Sequence, residues 1–187
     1  MIVIDATNNI KGVEHEMTRK VTADLAAGGV LLAGQAPYLV GSFGQLVDIL
    51  GDDDLDWNAL LLVSHGARKH APGDADPVRF GEISAVGQTP GTWWLLNGAE
   101  MNVQDKAVFL AVCYGAGEDA SEVALERQLA LTLTGSRETL KKSEILAFFP
   151  PALIATAKEA ELSAEAIAGV VEKHNALANG KMVTLMP

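Results

Sequence analysis

Thiols are almost absent. One cysteine, Cys113, stands in 187 residues, which excludes any disulfide within the chain and leaves that sulfur as either a small buried apolar group or a chemical one. Positive charge is in deficit, with 14 Lys+Arg against 24 Asp+Glu and a net charge of −10. Such a chain repels phosphate backbones, and no basic patch offsets the repulsion, so nucleic acid is not an expected partner. No apolar run approaches the ~18 residues of a membrane helix, so no membrane span is expected. No repeat, low-complexity linker or shift in composition divides the sequence, and no cationic apolar leader comes before the strand-like Met1-Ile2-Val3-Ile4. What remains is a chain with 49% hydrophobic residues, enough for one domain over 1–187 with a sizeable core.

Short β-like runs alternate with longer helical stretches. Met1 to Ile4 reads as a strand, and Val13 to Ala27 as a helix closed by Gly28-Gly29. Val30-Leu31-Leu32-Ala33 is expected as the second strand, followed by a helix that Ser42 caps and that carries Leu46, Val47, Ile49 and Leu50. Ala59 to Val63 and Ala107 to Val112 are apolar on successive residues, as strands buried on two faces are. Leu129 to Thr134 gives a fifth strand. Helices are expected over Glu138–Lys158, with Pro150-Pro151 interrupting it, and over Ser163–Ala178. The turn signals and Trp93-Trp94-Leu95-Leu96 between Val78 and Val103 read as an inserted β-hairpin. The alternation predicts an α/β fold: a three-layer αβα sandwich around a mostly parallel sheet.

In such a sheet ligands bind at the carboxyl ends of the strands. The third strand runs into Ser64-His65-Gly66 and the fourth into Cys113-Tyr114-Gly115-Ala116-Gly117. If these strands are neighbours, His65 and Cys113 emerge at one edge, where an imidazole can exchange a proton with a thiolate nucleophile. The main-chain N–H groups of Gly66 and Cys113 are natural donors to the oxyanion of acyl transfer.

The two blocks Leu60-Leu61-Leu62-Val63-Ser64-His65-Gly66 and Val108-Phe109-Leu110-Ala111-Val112-Cys113-Tyr114-Gly115 resemble those of the caspase-like cysteine peptidases, the clan of caspases, metacaspases, legumains, gingipains and CHAT-type domains. The order of elements before His65 is similar too, and Leu131-Thr132-Leu133-Thr134-Gly135-Ser136-Arg137 resembles the strand and loop that line the specificity pocket. The resemblance implies a caspase-like fold and a cysteine endopeptidase with no cofactor or metal, acting on a peptide or protein substrate through a His65/Cys113 dyad and an acyl-enzyme thioester. It implies a pocket at the ends of the first and fifth strands, here Asp5 and Arg137. Asp5 would favour a basic residue before the cut, and Arg137 an acidic one. A cytoplasmic location suits a thiol that must stay reduced.

Plainer readings compete. Cys113 is equally a packing residue on its own, and His65 a loop histidine bonded to a carbonyl. Asp52-Asp53-Asp54-Leu55-Asp56 suggests calcium, but the EF-hand template requires Gly and Glu where Trp57 and Val63 stand, so a solvated turn is expected. No zinc pattern joins His65, His70, Asp74 and Asp76. His15 and His174 read as surface residues. Ala111-Val112-Cys113-Tyr114-Gly115 is also similar to the nucleophile elbow of the DJ-1/PfpI and glutamine amidotransferase families, with Glu14, Glu16 or His174 as partners. A non-catalytic caspase-like domain that binds a regulatory protein is the third reading.

Overall fold

Strands that are apolar on successive residues need cover on both sides, and here they lie in the middle of one sheet. The computed structural model describes residues 1–7, 15–41, 43–65, 105–113, 115–116, 131–159, 162–178 and 180–185. Strands β1 (Ile2–Asp5), β2 (Tyr38–Leu39), β3 (Ala59–Val63), β4 (Lys106–Ala111), β5 (Leu131–Ser136) and β6 (Met182–Leu185) are ordered β2-β1-β3-β4-β5-β6. All pairings are parallel except that of β5 with β6.

Alternation along each strand separates two apolar cores. Ile2, Ile4, Leu60, Leu62, Val108 and Leu110 meet Leu46 and Leu50 of α2 (Phe43–Leu50) on one face. On the other, Val3, Leu61, Val63 and Phe109 meet Val21 and Leu25 of α1 (Glu16–Ala27). Phe149 and Leu153 of α3 (Lys142–Lys158) and Ile167 of α4 (Ala164–Ala178) complete that core. The fold is therefore α/β, a mostly parallel six-stranded sheet with helices on both faces.

Three local expectations are corrected. Val30–Ala33 is not a strand. Gly29 takes φ 77° after α1, Val30 N–H donates to Leu25 O at 2.9 Å and Gly29 N–H to Ala26 O at 3.1 Å. This is a Schellman closure, in which Val30 packs back beside Leu25 and Leu32 is left 80% exposed. The second strand is the two-residue β2. Pro150-Pro151 does not interrupt α3, which runs unbroken through both. Each interior proline costs ~3 kcal/mol, but Phe148 and Phe149 before the pair and Ala152 and Leu153 after it are buried on the sheet, and each large side chain so buried contributes ~1.5–3 kcal/mol. The third correction is β6, absent from the expected elements, which pairs Val183 with Gly135 and Met182 with Ser136. The expected hairpin between Val78 and Val103, and the Ser42 cap, lie outside the described residues. No helix among those residues is long and apolar enough to cross a membrane.

Candidate active site

β3 and β4 are neighbours, parallel, with Val63 opposite Ala111. His65 and Cys113 each lie two residues beyond that pair, at the carboxyl end of the sheet. The strand ends are laced together by main-chain bonds. Ala6 N–H donates to Val63 O at 2.8 Å, Ser64 N–H to Ala111 O at 3.5 Å, and the buried Ser64 hydroxyl to Ala6 O at 3.3 Å. His65 is exposed at this edge. Among the described residues no hydrogen bond joins it to Cys113.

Past β4 the chain turns sharply. Gly115 N–H donates to Val112 O at 3.2 Å, and Ala116 N–H to Ser136 O at 3.0 Å, so the turn lies across the end of β5. Gly135 lets it lie close, since a Cβ there would stand 3.2 Å from both the Cβ and the N of Ala116, a tight approach that would push the turn outward by a few tenths of an ångström. Cys113 is half-buried in this turn. Its Sγ accepts the Leu140 N–H at 3.3 Å, and the thiol lies 3.8 Å from Leu140 O as a weak donor. The Cys113 N–H donates to no acceptor among the described residues.

Asp5 closes β1 on the α1 face and is wholly buried. Its Oδ1 accepts Thr7 N–H at 3.0 Å and the Thr7 hydroxyl at 2.5 Å; its Oδ2 accepts His15 N–H at 2.7 Å. Burial alone would raise the Asp5 carboxyl, but these donors, with a weaker pull from the nearby Thr18 hydroxyl, hold it below the ordinary aspartate value. His15 in turn caps α1, its Nδ1 accepting Met17 N–H at 3.2 Å. Arg137 is exposed just past β5 and has no ion-pair partner among the described residues. Gly66, the other proposed oxyanion donor, lies outside the described residues, as does Glu14.

No protein-family model matches the chain, and no curated protein does. The site therefore stands on its own geometry. The acidic run is an exposed turn in which Asp54 N–H donates to Asp52 Oδ1 at 3.0 Å, and no cluster of three metal-ligating side chains occurs among the described residues. Glu16 is paired with Lys142 at 2.9 Å and Lys20 at 3.3 Å, and those partners hold its carboxyl low. His174 is half-buried on α4, edge-on to Phe148 with centroids 6.1 Å apart, and burial lowers its imidazole. It is thus less of a surface residue than expected.

Sequence reading missed three contributors: the Leu140 main chain, the Ser64 hydroxyl, and Ser136, whose Oγ accepts Glu138 N–H at 3.0 Å. Ser64 and Ser136 carry a signal, being polar residues at the ends of apolar strands. Leu140 carries none, because a peptide group does the bonding.

Proposed function

We propose that the chain is a caspase-like cysteine endopeptidase, with Cys113 as nucleophile and His65 as its acid–base partner. The observation that carries this reading is the β3–β4 register, which brings the only thiol and an exposed imidazole to one sheet edge. In the reaction His65 accepts the thiol proton and Sγ attacks the scissile carbonyl. The oxyanion is met by the Cys113 N–H, which has no other acceptor among the described residues, and by that of Gly66. His65 then protonates the leaving amine, and water hydrolyses the thioester. A compartment that keeps the thiol reduced, such as the cytoplasm, suits this chemistry.

For the pocket, the oxygens of Asp5 are taken up by Thr7 and His15, whereas Arg137 is exposed past the end of β5 with no ion-pair partner among the described residues. This supports an acidic side chain before the cut. The elbow reading needs a strained nucleophile, and Asp105 is the one non-glycine with positive φ among the described residues, so the backbone of Cys113 lends that reading nothing.

The test is digestion of a diverse peptide library, read by mass spectrometry, beside Cys113→Ala and His65→Ala. Cuts after acidic residues that vanish in both variants are expected. Cuts that survive His65→Ala would move the chain to elbow chemistry. No cuts by the parent protein would end the peptidase reading.

A further inference from the structure

Among the described residues the Cys113 sulfur is hydrogen-bonded to no side chain. It meets the two peptide groups that flank one residue, through the N–H and the C=O of Leu140, at 3.3 and 3.8 Å. Leu140 is 27 residues away in sequence, in the short segment between β5 and α3. That segment is fastened at three points. Glu138 N–H bonds to Ser136 Oγ at 3.0 Å, and Lys141 N–H bonds to Glu144 Oε2 at 2.7 Å. Lys181, at the approach to β6, reaches Glu138 at 3.1 Å and Glu144 at 3.6 Å. Leu140 also lines a half-open, mostly apolar pocket of about 290 Å³ with Ala147, Phe148 and Met182.

We infer that the Leu140 main chain is a clamp that positions the Cys113 sulfur for reaction. The inference rests on Cys113 being the nucleophile of the proposed peptidase. In the resting thiol the S–H points toward Leu140 O. On activation the S–H bond breaks and the proton passes to a ring nitrogen of His65, while the bonding pair stays on sulfur as negative charge. The Leu140 N–H, already aimed at the sulfur, then becomes a charge-assisted donor to the thiolate. Leu140 is thus a positioning residue: it moves no proton itself and fixes where the anion sits relative to His65.

Proline at 140 deletes the N–H, and alanine keeps it while removing the side chain. Because Cys113 is the only thiol, its alkylation by iodoacetamide reads the sulfur without any peptide substrate. We expect Leu140→Pro to slow alkylation at neutral pH by about tenfold, equivalent to about 1.4 kcal/mol, with Leu140→Ala within about twofold of the parent. On a cleaved peptide the proline variant loses kcat with KM unchanged. A folded Leu140→Pro protein that alkylates at the parent rate would overturn the clamp. The unaltered protein gives a second reading that does not depend on the variant folding. The Leu140 amide proton resonance should move on alkylation of Cys113, which removes the thiol that it meets. A Leu140 amide that ignores alkylation would also overturn it. A Leu140→Pro protein that alkylates slowly while the parent cuts no peptide would keep Leu140 as a positioner of the thiol and reject the peptidase reading, so the two failures are distinct.

Discussion

Asp5 and Cys113 end two strands of the same sheet, on the same side of it, with only β3 between them. Their surroundings are opposite. The Asp5 carboxylate is wholly buried and receives N–H and O–H donors from Thr7 and His15 on both oxygens. Cys113 is half-buried, its sulfur met among the described residues only by the Leu140 main chain, its own N–H without an acceptor among them. A buried charge persists only when its hydrogen-bonding capacity is met, and one that is fully met has nothing left for a substrate. The β1 end therefore secures the start of α1, whereas the β4 end keeps bonding capacity that no described residue fills. Saturation marks a structural clasp at Asp5, and the proposed chemistry uses the end that the described residues leave unsaturated.

Exchanging the roles breaks the comparison most sharply. Cys113→Ala is expected to remove cleavage by about a thousandfold or more while changing unfolding free energy by less than about 1 kcal/mol, since a small half-buried side chain is lost. His65→Ala follows with a loss of about a hundredfold or more, again at nearly constant stability. Asp5→Asn does the reverse. Its amide sets an N–H donor against those of Thr7 or His15, so urea unfolding should show a loss of roughly 2–4 kcal/mol with cleavage by the folded fraction retained. If Asp5→Asn instead spared stability and changed which peptides are cut, Asp5 would belong to the pocket.

The sheet was largely legible because its signal is collective. Ala59–Val63 has five apolar residues in succession, no partial burial satisfies them, and the strand lies where they are. His65 and Cys113 inherit their places from the strands they follow, so their common sheet edge was legible too, as a position and not as a function. Single-residue events were not. The Gly28-Gly29 ending of α1 was readable, but the Schellman closure also commits Val30 to fold back on Leu25, and an apolar Val30-Leu31-Leu32 run conceals that. Pro150-Pro151 obeys a local rule that tertiary packing of Phe149 and Leu153 overrides. β6 is four residues long and is specified by its partner β5 more than by its own pattern. Asp5 looked available as a pocket charge because the groups that occupy it include the main-chain N–H of His15, ten residues away.

Acid sharpens the same contrast by a smaller amount. The folded Asp5 carboxyl lies below its unfolded value of about 3.9, so its contribution is fully present above that pH and is lost as pH falls toward the folded value. Urea midpoints should therefore drop as pH is lowered through about 5 to 3, and the drop should be shallower in Asp5→Asn. Glu16 and Glu144 are also held low, Glu16 chiefly by hydrogen bonding to Lys142 and Glu144 chiefly by the Lys141 N–H, and they shift in the same direction. Glu16 sits in exposed ion pairs that salt screens, Glu144 in a half-exposed pair beside its main-chain bond, and Asp5 is bonded out of contact with water. At high salt the acid-sensitive part that survives should be that of Asp5 with a smaller remainder from Glu144.

The smallest effect isolates one bond of the clasp. The Thr7 hydroxyl gives Asp5 Oδ1 a single donor, while the Thr7 N–H supplies another to the same oxygen whatever side chain stands there. Thr7→Ala should cost about 1–2 kcal/mol, less than Asp5→Asn, because two main-chain donors remain. In the double variant the second loss should be smaller than the first, since the hydroxyl has no carboxylate left to meet, and that shortfall measures their coupling. Strictly additive losses would mean that Thr7 and Asp5 act through different partners. The saturation that separates the β1 end from the β4 end would then have to come from His15 and the main chain alone.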